Sequence, residues 1–228
     1  MNNLYINTYL FTNVGLHPSQ MNNNIRKNIK NNLIEKVNEK CILDYGYIVE
    51  IHDITYISDA VIIPEDPLAS AIFNVKFLCT LCNPLINSII IGQIDNITSK
   101  LIKISNGPIE ILVVDHNIKT TNFRFDNKSN EWIANTYDNN KIILKPKIYV
   151  NVKILSKSVI DKSTRILCMG YLDNLASEEE INNISKNDSK HFKMFENINE
   201  YIEYTKNDNI TKIKIDDNII KRNSDDNI

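Results

Sequence analysis

The chain has 228 residues, 43% of them hydrophobic and 24% charged, with a formal net charge of −2. This is ordinary globular usage, so most of the chain should fold, and the length suits two small domains better than one large one. Met1 to Tyr5 carries neither a basic region nor an apolar stretch, and runs such as Ile89-Ile90-Ile91 are too short to cross a bilayer. That argues against a secreted or membrane-spanning protein and for a soluble, intracellular one with its four cysteines free.

Leu4 to Val14 reads as a strand with imperfect alternation. His17-Pro18-Ser19 then offers a helix start, and Met21, Ile25, Ile29 and Leu33 recur every fourth residue, with Ile34 and Val37 widening the stripe. The spacing predicts a helix ending near Lys40. Beyond Tyr45-Gly46-Tyr47, the residues Ile48, Val49, Ile51 and Ile54 form a strand, with Gly46 allowing close backbone approach or a bulge. Residues 53–66 look like an excursion around a short strand at Ala60 to Ile63. A long strand from Ala69 to Cys82 places Phe73, Val75, Phe77, Cys79 and Leu81 on one face. A helix on a few antiparallel strands is the economical reading of residues 1–83.

Pro84 marks a boundary, after which short strands recur: Ile86 to Ile94, Leu101 to Ser105, and Ile109 to Asp115 after an Asn106-Gly107-Pro108 turn. A polar stretch with Phe123, Phe125, Trp132 and Tyr137 follows. Ile148, Val150, Val152 and Ile154 then alternate strictly with Tyr149, Asn151 and Lys153, and Ile166 to Tyr171 closes the set. Five strands with a long connection after the third is the pattern of a small OB-type barrel, residues 84–175. The fold class expected is therefore α+β, a helix-and-sheet domain, then a barrel and a polar tail. The tail, 176–228, is charged and Asn-rich; Phe192, Phe195, Ile198 and Ile202 give it a short amphipathic pattern, but it is expected to be largely disordered.

Charge is unevenly spread. Residues 1–83, 84–175 and 176–228 carry −2, +4 and −4, which makes the barrel the anion-facing part. An enzyme would need a constellation that the sequence does not supply. Gly15, Gly46, Gly92, Gly107 and Gly170 are too scattered for a phosphate loop, and His17, His52, His116 and His191 are isolated from one another. Cys79-Thr80-Leu81-Cys82 has the spacing of a metal site, but inside a strand its thiols point to opposite faces. The carboxylates of Glu178-Glu179-Glu180, Asp216-Asp217 and Asp225-Asp226 lie in the tail rather than on a rigid frame. Neither a catalytic residue, a metal nor a cofactor is expected.

The order strand, helix, "EKVNEKCILDYGYIVEIHDI", acidic loop, "SAIFNVKFLCTLCNPL" and barrel resembles the stalk subunit 7 of RNA polymerase II and its archaeal counterpart. Cys41 and Tyr45-Gly46-Tyr47-Ile48 match that family's Cys-containing turn and aromatic-Gly-Tyr-Ile strand. Phe73-Asn74-Val75-Lys76 and Pro84 match its next strand. "NGPIEILVVDHNI", "FRFDNKSNEW" and "ILCMGYLDNL" resemble its barrel hairpin, polar loop and last strand. The family carries a basic residue and a glycine just after the proline, where this chain has Leu85, Ile86 and Asn87. The tail has no counterpart in the usual family length.

The resemblance covers about residues 1–175 and implies a non-catalytic subunit in two parts. The first is a truncated ribonucleoprotein-like domain that docks on RNA polymerase core subunits. The second is an S1-like barrel that meets single-stranded nascent RNA, and a subunit 4-like partner would complete a heterodimeric stalk. Docking is assigned to Tyr45, Gly46, Tyr47, Ile54, Tyr56, Ile57 and Pro64, although Tyr45 and Tyr47 could equally cover the domain's own core. RNA contact is assigned to Lys100, Lys103, Arg124, Lys145, Lys147 and Lys153 for charge and to Phe123, Phe125, Trp132 and Tyr149 for stacking, with lidding of the barrel the alternative for Trp132. The Asn- and Ile-rich composition points to AT-rich coding, as in a large DNA virus or an AT-rich protist. The setting is then the nucleus of a cell, or the virion and host cytoplasm of a virus. The equivalent subunit of polymerase III or I and a stand-alone RNA-binding barrel are the competing readings.

Overall fold

In the computed structural model, which describes residues 4–62, 66–135 and 141–181, the chain is mostly β-strand. Strand β1 (Tyr5–Leu16) leads through a 3-10 turn at Pro18–Gln20 into α1 (Ile25–Val37). Then come β2 (Cys41–Ile42), β3 (Gly46–Ile57), β4 (Val61–Ile62) and β5 (Ala71–Cys82). They form one antiparallel sheet in the order β1-β5-β3-β2, in which β4 prolongs the pairing of β3 along β5. The long central strand alternates as its sequence predicts. Ala71, Phe73, Val75, Phe77, Cys79 and Leu81 are buried, in one core with Leu10, Val14 and Leu16 of β1, Ile48, Ile51 and Ile54 of β3, and Ile29, Leu33 and Val37 of α1.

The expected helix from His17 to Lys40 is broken in two. His17 and Gln20 cap the 3-10 turn reciprocally, Ser19 N–H donating to His17 Nδ1 at 3.3 Å and His17 N–H to Gln20 Oε1 at 3.1 Å. The Asn22 side chain then accepts the Asn24 N–H at 2.9 Å, so an asparagine turn takes the backbone group that a continuous helix would use. Met21, Ile25 and Ile34 are consequently exposed, and the buried stripe narrows to Ile29, Leu33 and Val37. Glu39, at φ 55°, turns the chain out of the helix toward β2.

The second half is a closed barrel. β6 (Ile89–Ile97), β7 (Leu101–Asn106) and β8 (Ile109–Val114) form a meander, and β12 (Tyr149–Ser158) and β13 (Ile166–Leu175) complete the ring in the order β12-β13-β8-β7-β6, β12 also pairing β6. All these neighbours are antiparallel except β8 and β13. A closed five-stranded barrel in this order is consistent with the Greek-key arrangement of OB-folds. Its interior is filled by Ile94, Ile102, Ile104, Ile109, Ile111, Val113, Val150, Val152, Ile154, Ile166 and Leu172. Gly170 allows the wall to close, because a Cβ there would stand 2.4 Å from Val152 Cγ1 and 2.7 Å from Ile111 Cγ2.

The polar stretch between the third and fourth barrel strands is not merely a loop. It holds a small sheet of its own, β9 (Phe123–Asp126), β10 (Glu131–Asn135) and β11 (Lys141–Ile143), in the order β11-β10-β9. Phe123, Trp132 and Ala134 are buried, a pattern too short and too interleaved with polar residues to announce strands by periodicity.

Sheet and barrel share backbone hydrogen bonds. Cys41 N–H donates to Ser163 O and Lys162 N–H to Cys41 O, both at 2.8 Å, so the β12–β13 turn is tied to β2. Lys157 Nζ donates to Asn83 Oδ1 nearby. After β13, Ser177 and Glu180 cap one helical turn, and Glu180 Oε2 accepts from Asn151 Nδ2 at 3.0 Å, so the start of the expected tail is ordered on the barrel. The amphipathic pattern at Phe192 to Ile202 lies outside the described residues.

Candidate protein and nucleic-acid interfaces

The hairpin β2–β3 holds the aromatic-glycine-aromatic step. Asp44 (φ 69°) and Gly46 (φ 124°) make its turn, and Cys41 pairs with Tyr47. Tyr45 stands out at the turn, 53% exposed, whereas Tyr47 is 8% exposed and Gly46 is buried. Burial, and then the nearby Glu39 carboxylate, push the Tyr47 phenol above its ordinary value. Tyr47 therefore covers its own domain, and so does Ile54, which belongs to the sheet core. Both were expected at a docking surface; in the structure Ile54 lies in the sheet core, and Tyr47, paired with Cys41 and Cys82, is buried on the other face of the sheet. Ile57 is half-buried, Tyr56 is exposed, and Pro64 lies outside the described residues.

At the other end of the sheet from the β2–β3 turn, beyond Ile57, the structure exposes three apolar residues that the sequence did not single out, Val61, Ile62 and Leu68. The Asp66 carboxylate holds that turn, accepting from Leu68 N–H and Ser70 N–H, both at 3.0 Å, and these backbone bonds lower its pKa. Along the sheet face opposite the core, Lys76 Nζ lies 5.1 Å from the Tyr9 ring centroid and 5.4 Å from that of Phe11, and Tyr56 is the β3 partner of Lys76. Tyr9 and Phe11 are both more than half exposed. The alternation of β1 is the signal that could have found them.

On the barrel, the basic residues expected to meet RNA are dispersed. Lys100 is exposed in the β6–β7 turn, Lys103 projects outward from β7, and Arg124 is exposed on β9. Lys145 and Lys147 precede β12, and Lys153 lies on it, directly across from Tyr171 of β13. Three of the four aromatic platforms are not open. Phe123 is 2% exposed, Tyr149 4% and Trp132 7%. Trp132 Nε1–H donates to Thr98 O at 3.0 Å and its ring meets Phe125 at 5.1 Å between centroids, so it closes the small sheet onto the β6–β7 turn as a lid. Phe125 remains half-buried. Tyr149 does face away from the Ile-Val interior, but that side of β12 is covered where Glu180 reaches back to Asn151. Tyr171, Met169 and Leu167 occupy the outward face of β13 instead, the last two exposed.

One carboxylate organises two cations on this wall. Glu110 Oε1 pairs with Lys103 Nζ at 2.9 Å and Glu110 Oε2 with Arg165 at 3.0 Å. The Lys103 bond, outweighing the cost of burial, and then the Arg165 bond hold the carboxyl below its usual range. Arg165 is a further cation that the sequence reading did not mark.

The four cysteines are free and buried, and burial pushes Cys79 and Cys168 up to about 11. Cys79 and Cys82 sit three apart on β5 as packed side chains. His52 Nε2 is bonded to Thr80 Oγ1 at 2.7 Å, while His116 lies beside Asp115. Among the described residues no three His, Cys, Asp or Glu side chains gather so as to hold a metal ion, and no helix is long and apolar enough to cross a membrane.

Comparison with known proteins adds an independent line. Residues 12–67 match the family model described as "SHS2 domain found in N terminus of Rpb7p/Rpc25p/MJ0397". A putative DNA-directed RNA polymerase subunit of Acanthamoeba polyphaga mimivirus is 29% identical over 178 residues, 78% of this chain and 86% of that protein. The DNA-directed RNA polymerase II subunit RPB7 of Saccharomyces cerevisiae is 26% identical over 147 residues, 64% of this chain and 82% of that protein. The subunit of the same name from Glycine max is 23% identical over 169 residues, covering 74% of this chain and 92% of that protein.

Proposed function

We propose that the chain is a member of the stalk-subunit family of DNA-directed RNA polymerases, the family of RNA polymerase II subunit 7, and serves such a polymerase as a non-catalytic arm. In this reading the amino-terminal sheet docks on the polymerase body, and the barrel meets single-stranded RNA as it emerges. A subunit 4-like partner completes the stalk. The setting is the nucleus for a cellular polymerase, or the virion and host cytoplasm for a viral one.

The observation that carries the reading is the physical coupling of an SHS2-type sheet to an OB barrel through the Cys41 backbone bonds to Ser163 and Lys162. A plug and a reading head held by backbone hydrogen bonds move together, which lets docking at one end set the position of the other. The docking energy would come from Val61, Ile62, Leu68 and Tyr56, at about 25 cal/mol for each Å² of apolar surface removed from water. On the barrel, Lys100, Lys103, Arg124 and Lys153 would attract the phosphate backbone, and Tyr171, beside Lys153, takes the stacking role first assigned to Tyr149.

The test uses the tagged full chain expressed in its native cell. The wild type is expected to co-purify with the large subunits of an RNA polymerase. The triple variant V61S/I62S/L68S should lose them while keeping its circular dichroism spectrum, since the three side chains are exposed. Recovery of the wild type without polymerase subunits, or retention by the triple variant, would count against the proposal.

A further inference from the structure

The wall formed by β7, β8 and β13 displays a charge arrangement that its fold alone does not require. On β8 the outward positions are Glu110, Leu112 and Val114. Ser105 of β7 lies across from Glu110, and Lys103 lies across from Leu112, so Lys103 reaches Glu110 diagonally. On the other side Arg165 immediately precedes Ile166, which pairs with Ile109. Glu110 therefore sits between two cations, Lys103 from β7 and Arg165 from the residue just before β13, and gives one oxygen to each, at 2.9 and 3.0 Å. Its side chain is 16% exposed, against 35% for Lys103 and 55% for Arg165. The anion is sunk below cations that solvent can still reach.

A phosphodiester offers the same geometry, two non-bridging oxygens on one negative centre, and it binds Arg and Lys through the same charge-assisted bonds. Leu167 and Met169 lie exposed beside Arg165 on β13, apolar ground for base faces rather than for a further anion. The second and third strands of an OB barrel are the face on which oligonucleotides bind. We propose that Glu110 is a built-in counter-anion that fills the place of one backbone phosphate of single-stranded RNA, with Lys103 and Arg165 as that phosphate's ligands. RNA engages this wall by displacing the carboxylate. Because the cations are neutralised in part before RNA arrives, each contact is weak and readily reversed, which suits a transcript that must keep moving. This rests on the reading of the barrel as an RNA-contacting module.

The experiment is fluorescence anisotropy of the full chain with a labelled single-stranded RNA of about 16 nucleotides, the upper end of what one such barrel covers. Salt is varied between about 50 and 200 mM. E110Q is expected to bind about 3- to 10-fold more tightly than wild type. Its log-log salt dependence should steepen by about 0.7, the increment for one phosphate contact on a single strand. E110A should behave the same way, and adding K103A and R165A to E110Q should erase the gain. Thermal melts of each variant check that it is folded. Unchanged or weaker binding by folded E110Q and E110A, with K103A/R165A still weaker, would overturn the proposal and leave Glu110 as a residue that merely orients its cations. Failure of every form, wild type included, to bind RNA would instead overturn the barrel reading itself, and this inference with it.

Discussion

Replacing Gly46 with alanine probes the junction between β2 and β3 directly. Gly46 has φ 124°, a backbone conformation that L-residues avoid, and a Cβ there would stand 2.5 Å from the Cys82 carbonyl oxygen and 3.2 Å from Asn83 Cβ. The carbonyl cannot swing aside, because Cys82 is paired to Tyr5 on one side and Tyr47 on the other. Backbone strain of this kind costs about 1–3 kcal/mol, and forcing an atom into a filled site costs about 1–3 kcal/mol more. The sum, about 2–6 kcal/mol, is a large share of the 5–15 kcal/mol that stabilises a typical protein. At about 2–4 °C per kcal/mol for a chain of this size, Gly46→Ala should melt about 4 to 24 °C below wild type. The assay is a circular dichroism melt of the full chain, with Gly15→Ala as the control. Nothing lies within 4 Å of where a Cβ on Gly15 would stand, so that variant should stay within about 0.5 kcal/mol of wild type. A Gly46→Ala protein that melts with the wild type would refute the account of the junction.

Two further outcomes separate structural from binding roles. Trp132→Ala should lower stability by about 3–5 kcal/mol, and Trp132→Phe, which keeps a ring but leaves the Thr98 carbonyl without its indole donor, by about 1 kcal/mol; urea midpoints measure both, and a stable alanine variant would restore Trp132 as a free stacking platform. All four cysteines are buried, and a thiol pushed up to about 11 is almost wholly protonated at pH 8, so Cys79 and Cys168 should be inert to a disulfide reagent at that pH. Four thiols should react in denaturant, and rapid labelling of Cys79 or Cys168 in the folded chain would contradict their packing.

The alternating strands were legible because a side chain's face is fixed by its own backbone. β5 buries the residues its period assigns, and β12 turns Val150, Val152 and Ile154 inward. The order of elements, with its Cys-turn and Tyr-Gly-Tyr step, sufficed to suggest the family. What the sequence by itself did not decide is which outward-facing residues stay outside. Tyr149 faces away from the barrel interior yet is buried, on the side of β12 where Glu180, 31 positions on, bonds to Asn151. Trp132 is consumed by the Thr98 carbonyl of a distant turn, and Lys103 by Glu110 and its shared partner Arg165. Local periodicity records direction, a property of a few consecutive residues. Exposure and charge neutralisation depend on segments far apart in the chain, and those are brought together only when the sheet and the barrel close.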